Sequence, residues 1–249
     1  MALLELDGLT KRYGGLIAVN HVTMRVEAGE VRAVIGPNGA GKTSLFHLIT
    51  GVVPASEGEV RFDGRKLTGL SSYQVCQAGL SRTFQLTALF PEMTARENAR
   101  LSAQARLARR WQPYGGGAVF AEAARRGDEA LERLGLTGVA GRQAGLLSHG
   151  DQRLLEVAMA LAQRPRVLLL DEPTQGLSVE ETLSAVETLS GLLADGQLTV
   201  LLVEHDMEVV FRLAQKITVL HRGSVIADDV PEAVKANADV QAAYLGGYA

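Results

Sequence analysis

The chain has 249 residues, 47% of them hydrophobic, with 25 Lys and Arg against 28 Asp and Glu. That length suits one large domain or two small ones, and a net charge of −3 argues against a general nucleic-acid binder. The single cysteine, Cys76, excludes an internal disulfide and a cysteine-based metal cluster, and no apolar run approaches the ~18 residues of a membrane span. Met1-Ala2-Leu3-Leu4-Glu5 meets an acid at once, so no secretory leader is expected and the chain reads as cytosolic.

In chain order, residues 3–7 and 20–27 alternate as strands, with Thr10 to Gly15 expected as a polar turn carrying Tyr13. Val31 to Ile35 is an apolar β-branched run. It leads into Gly36-Pro37-Asn38-Gly39-Ala40-Gly41-Lys42-Thr43-Ser44, and a helical pattern of Leu45, Phe46, Leu48 and Ile49 follows. Strand, glycine loop and helix in that order form a phosphate-binding loop. Its backbone N–H groups converge on one concavity at a helix N-terminus. Lys42 adds a point charge for the outer phosphates, and Thr43 a hydroxyl for Mg²⁺. The loop is expected to bind a nucleoside triphosphate.

Val53 to Gly58 is a breaker cluster, Glu59 to Asp63 a short strand, and Leu80 to Phe84 a further strand ending at Gln85. From Thr94 to about Leu134, two helices are expected, opened by the Thr94–Glu97 capping box and broken at Gln112 to Gly117. They read as a helical insert between halves of an α/β domain. Arg106, Arg109 and Arg110 give it a basic face, read as a solvated surface. After Ser148 a striped helix resumes. Val167–Leu170 and Thr199–Val203 are buried strands in the style of a parallel sheet, separated by a helix from about Val179 to Leu193. Ile217–Leu220, Ser224–Ala227 and a helical stretch to Tyr244 complete the alternation.

Asp171 and Glu172 close the first of those strands, where a parallel sheet places its ligands. Asp171 suits a Mg²⁺ ion held through water, and Glu172 suits a base that orients and deprotonates the attacking water. Two solvated acids at a strand end would look the same. An Asn-Lys-x-Asp guanine-reading motif is absent, which weakens a GTPase reading. Leu147-Ser148-His149-Gly150-Asp151-Gln152-Arg153 opens a second helix able to receive an anion, and by itself it also fits an ordinary helix start.

Gly36 to Ser44, Gln85, Leu147–Arg153, Leu170-Asp171-Glu172-Pro173-Thr174 and Val203-Glu204-His205-Asp206 follow the order and spacing of ATP-binding-cassette ATPases, and the chain resembles that family over essentially its whole length. The resemblance implies an α/β P-loop NTPase with a mostly parallel core sheet, an N-terminal antiparallel β subdomain and an inserted α-helical subdomain. It implies a single domain, with residues 1–85 and 164–249 as core and β subdomain and about 86–163 as the helical signature part. The cofactors would be ATP and Mg²⁺. A second ATPase subunit would supply Ser148 and Gly150 to the triphosphate held by this chain's Asn38, Gly39, Ala40, Gly41, Lys42, Thr43 and Ser44. Tyr13 would stack on adenine, Gln85 would sense Mg²⁺ and water, and His205 would contact the γ-phosphate. As isolated residues, Tyr13 and His205 read first as packing or surface residues, and Gln85 as a polar residue at a strand end. The apolar Leu86, Leu89, Phe90 and Pro91 resemble the place where a membrane permease docks.

Two positions depart from the family pattern. Ser178 stands where aspartate is frequent, and Asp151 where glutamine is frequent. Gly176-Leu177, the run from Val203 to Val210 and the tail Ala243-Tyr244-Leu245-Gly246 resemble importer ATPases for branched-chain amino acids, with urea and short-amide importers as near relatives. The partners implied are permease subunits, a second ATPase (identical or a sister) and, indirectly, a periplasmic solute-binding protein. The chain would be cytoplasmic and peripheral on the inner face of the membrane. A cassette acting on nucleic acid or protein is the alternative, disfavoured by the short insert and the negative charge.

Overall fold

The computed structural model describes residues 2–83, 89–107 and 117–245. Strands β1 (Ala2–Tyr13) and β2 (Leu16–Glu27) pair antiparallel from Ala2↔Glu27 to Tyr13↔Leu16, so only Gly14-Gly15 turns the chain. The polar turn expected over Thr10 to Gly15 is therefore mostly strand. The reason is Thr10, which is fully buried. Its hydroxyl donates to the Gly8 carbonyl at 3.2 Å and accepts from the His21 N–H at 3.1 Å, so the polar group is satisfied inside the hairpin.

β3 (Val31–Ile35) is buried at every position and feeds α1 (Lys42–Ile49). β4 (Glu57–Phe62) and β5 (Arg65–Lys66) form a tight hairpin through Asp63 and Gly64, both at positive φ as such a two-residue turn requires. α2 (Ser72–Ala78) was not foreseen; it is seven residues long and held by a Ser71–Gln74 capping box. β6 (Leu80–Arg82), α3 (Ala95–Ala105) and α4 (Gly117–Arg133) follow, then α5 (His149–Ala162), β7 (Val167–Asp171) and α6 (Val179–Leu193). β8 (Thr199–Val203), α7 (Met207–Leu213), β9 (Lys216–His221), β10 (Ser224–Asp229), α8 (Pro231–Ala236) and α9 (Ala238–Leu245) complete the described chain.

Residues 1–80 with 196–249 form one compact unit and residues 81–195 a second. The first contains an antiparallel sheet in the order β2-β1-β4-β5 and a second sheet segment in the order β10-β9-β3-β8. β3 runs parallel to both β8 and β9, and only β10 is antiparallel. On one face Ala33, Ile35, Ile217 and Val219 pack with Val210 of α7, Val234 of α8 and Val240 of α9. Among the described residues Arg32 is the largest side chain fully buried. Its guanidinium bonds Glu30 at 2.6 Å, Asp228 at 2.6 Å and the Thr218 hydroxyl at 3.2 Å, pinning β3 to β9 and β10 with every charge partnered.

In the second unit α3, α4 and α5 pack on one another through small residues. Ala99, Ala103, Ala123 and Ala130 are buried, and a Cβ at Gly127 would meet the Arg100 backbone nitrogen at 2.9 Å. α5 also packs on β7 and α6. β7 is fully buried, and the N–H of Thr83, just past β6, donates to the Leu169 carbonyl at 2.9 Å.

Candidate phosphate-binding and signature sites

In the first unit, β3 ends at Ile35 and the glycine loop begins. Gly41 adopts φ +104, and a Cβ there would lie 2.3 Å from the Ala18 carbonyl oxygen of β2. Only glycine lets the loop pass that close. The Gly223 N–H donates to the Ala40 carbonyl at 3.0 Å, while its own carbonyl accepts from the Asn20 N–H at 2.8 Å. The loop is thus braced by the β9–β10 turn and by β2. Lys42 is buried at the start of α1, with its ammonium 2.6 Å from the Gly36 carbonyl and 3.2 Å from that of Pro37. The cation lies inside the loop's curl, while Asn38, Gly39 and Thr43 are exposed and Ser44 half-buried.

Register places His205 next to this loop. β3 and β8 pair in parallel with Val34 opposite Val203, so Gly36 and His205 each lie two residues beyond that pair, at the carboxyl end of the sheet. His205 is exposed, and Asp206 caps α7 behind it by accepting the Glu208 and Val209 N–H groups at 2.8 and 3.4 Å. Tyr13 stands at the end of β1, 46% exposed, with the Lys11 ammonium 5.0 Å from its ring centroid. An exposed ring at a hairpin tip suits stacking better than core packing.

Tyr244 of α9 was noted in the sequence only as part of a tail. It packs on the cluster containing Ile35, and the Gly36 N–H donates to its phenolic oxygen. Burial pushes the phenol up to about 12, and that N–H partly offsets the rise.

The second unit holds the acids. Asp171 and Glu172 are both buried at the end of β7, and Glu172 adopts φ +51, a strained conformation for a non-glycine residue at a cost on the order of 1–3 kcal/mol. A carboxylate held under strain at the carboxyl end of a buried strand has the placement expected of a functional group. Arg82 was not foreseen. Its guanidinium lies 2.6 Å from the Asp171 carboxylate, with both side chains almost wholly buried, and the Asp171 N–H donates to the Thr83 hydroxyl at 3.2 Å. No local pattern marks this arginine; it is visible only once β6 lies beside β7.

The signature run opens α5. Ser148 is the N-cap, its hydroxyl accepting from the Asp151 N–H at 3.1 Å, which leaves its own proton to donate outward. Gly150 is buried, and its N–H donates to Glu181 at 3.2 Å. Glu181 belongs to a capping box with Ser178, so the serine at the unusual position has a structural job at the start of α6. His149, Gln152, Arg153, Gln175, Gly176 and Leu177 line a cavity of about 230 Å³ beside this turn.

Gln85 and Leu86 lie outside the described residues, as do Arg109, Arg110 and Gly246. Phe90 is half exposed, and the buried Asn98 fixes its backbone by accepting its N–H at 2.9 Å and donating to its carbonyl at 3.0 Å. Among the described residues no group of three or more His, Cys, Asp or Glu could hold a metal, and no helix is long and apolar enough to cross a membrane.

A family model described as ABC transporter matches residues 19–175, and one described as branched-chain amino acid ATP-binding cassette transporter matches residues 224–249. The high-affinity branched-chain amino acid transport ATP-binding protein BraF of Pseudomonas aeruginosa is 41% identical over 252 residues, covering 98% of both chains. The corresponding LivG of Escherichia coli K12 is 38% identical over 257 residues, also covering 98% of both. A nucleotide-free ATP-binding cassette from an ABC transporter superposes with a TM-score of 0.84 at 28% identity, over 98% of this chain and 99% of that one. A cassette solved as a dimer in a post-hydrolysis state with ADP and Pi gives 0.76 at 27%, over 92% and 98%.

Proposed function

Since the chain belongs to the ABC transporter ATPases and couples ATP hydrolysis to transport, we propose that it powers an importer for branched-chain amino acids. The observation that carries the solute class is the end-to-end likeness to BraF and LivG, together with the branched-chain model over residues 224–249. That C-terminal match favours branched-chain amino acids over urea and short amides.

The chemistry follows from the two half-sites. Lys42, pre-set within the loop, exchanges its carbonyl partners for phosphate oxygens, and the loop N–H groups receive the rest of the triphosphate. Tyr13 stacks on the adenine. Glu172 accepts a proton from the attacking water, and His205 donates to the γ-phosphate. Gln85 orients that water.

Thr43, exposed at the start of α1, would give Mg²⁺ a hard oxygen donor, and Asp171, paired with Arg82, would reach it through water; Mg²⁺ keeps waters and takes ligands from phosphates. When bound, Mg²⁺ would supply charge neutralisation of the phosphate tail.

Ser148 and Gly150 serve the triphosphate of a second cassette subunit rather than this chain's own, so ATP draws two cassettes together and hydrolysis releases them. The dimeric cassette among the solved relatives supports this reading. Residues 1–85 and 164–249 act as the nucleotide-holding core and about 86–163 as the signature part. Phe90 and its pinned loop meet permease subunits on the inner face of the membrane, which receive solute from a periplasmic binding protein.

The test is uptake. Cells lacking this chain should lose ATP-dependent import of radiolabelled leucine, isoleucine and valine, and regain it with the wild-type chain but not with Glu172→Gln. Undiminished uptake of all three in the deleted strain refutes the assignment.

A further inference from the structure

The turn that opens α5 already carries an anion. Glu181 reaches from the first turn of α6, and one carboxylate oxygen accepts the Gly150 N–H at 3.2 Å. The other accepts the Ser178 N–H at 3.0 Å, and the Ser178 hydroxyl accepts the Glu181 N–H at 3.3 Å. The first turn of a helix has N–H groups with no partner inside the helix, and its dipole favours negative charge there. Glu181 satisfies both preferences from within the same unit. The Ser178 N–H, then the Gly150 N–H, the Ser178 hydroxyl and the nearby His149 all hold its carboxyl below the usual carboxylate range, so it is charged at neutral pH.

Gly150 itself is informative. Its φ is not positive, and a Cβ there would meet Glu181 side-chain atoms at 3.5–3.6 Å, an ordinary contact. Neither the backbone nor Glu181 therefore demands a glycine. Glycine adds no side chain beside the N–H that Glu181 occupies.

We infer that Glu181 is an internal stand-in for phosphate, occupying the Gly150 N–H that the second subunit's γ-phosphate requires, and that it sets the ATP concentration at which two cassettes close. This rests on the two-subunit reading proposed above. One N–H makes one strong hydrogen bond, so the phosphate must displace the carboxylate, and until it does the two negative groups repel. Glu180, also a glutamate, is exposed on the same turn, but the Gly150 N–H donates to Glu181. Glu180 separates a general charge effect from this one.

The experiment uses the full-length chain in a Glu172→Gln background, where bound ATP is not consumed, and reads the ATP concentration for half-maximal association by sedimentation. Adding Glu181→Gln should lower that concentration roughly ten-fold, the effect of removing one like charge at hydrogen-bonding distance. Adding Glu180→Gln should leave it in place. Glu181→Met, also uncharged, should move it in the same direction as glutamine. Without nucleotide both Glu181 variants should melt at or below the parent temperature, so a tighter response to ATP cannot come from a more stable fold. An unchanged or raised ATP requirement in both Glu181 variants overturns the inference and leaves the residue a helix cap. If the Glu172→Gln parent never associates, the two-subunit reading falls first and takes this inference with it.

Discussion

Arg82 and Asp171 form an ion pair that should be costly to break on one side only. The guanidinium and carboxylate are 2.6 Å apart, and the side chains retain 7% and 1% of their exposure. At an effective dielectric near 20, two unit charges at that distance attract by about 6 kcal/mol. Burying each ion costs several kcal/mol, so the intact pair contributes little net stability. Arg82→Met removes the attraction but leaves the Asp171 charge buried, a loss of about 3–5 kcal/mol. For a chain of this size that corresponds to a fall in Tm on the order of 10 °C.

Arg82→Met/Asp171→Asn removes both charges and should recover most of the loss. The assay is thermal and denaturant unfolding of wild type, both single variants and the double variant at neutral pH. A loss below about 1 kcal/mol in Arg82→Met, or a double variant no more stable than that single one, refutes the idea that an uncompensated carboxylate is the source of the penalty.

Three further outcomes are expected. Tyr244 has its folded pKa raised to about 12 against 10.0 for the free side chain, so its contribution is intact below pH 10 and lost as pH climbs towards 12. Wild type should therefore lose about 1–2 kcal/mol more than Tyr244→Phe across that window, a figure reduced for partial exposure to solvent; identical profiles contradict the burial of the phenol as the cause of the shift. Gly41→Ala would force a Cβ to 2.3 Å from the Ala18 carbonyl at φ +104, and should abolish ATP binding measured by calorimetry. Ser148→Arg should reduce hydrolysis at least 100-fold while leaving nucleotide binding to a single chain within about two-fold, the split expected of a group acting in the transition state of another subunit's site. Loss of that binding would place Ser148 in the same-chain pocket.

Much of this architecture is legible in the residues because local rules and the fold agree. Val31–Ile35 before Gly36, four aliphatics before Asp171, and the Thr94–Glu97 box each appear in the structure as read. What escaped depends on contacts between distant segments. Thr10 looks like a turn residue until its hydroxyl is seen bonded within the β1–β2 hairpin. Seven residues of α2 are too few to show a helical period, although Ser71 and Gln74 carry its capping box. Ser178 and Glu181 have capping-box spacing in plain view, yet the hydrogen bond to Gly150 crosses 31 positions of sequence. Arg82 carries no motif, Tyr244 was legible only as part of the tail, and the role of each side chain comes from the strand end or loop beside it.

The most direct measurement is sedimentation of the Glu172→Gln chain with and without saturating ATP and Mg²⁺, alone and with a sister cassette or permease added. A shift from one cassette to two on adding ATP, reversed by Ser148→Arg, is the predicted result. A chain that stays single under all these conditions, while wild-type turnover per molecule is indifferent to dilution and to added partners, would contradict a site built from two subunits.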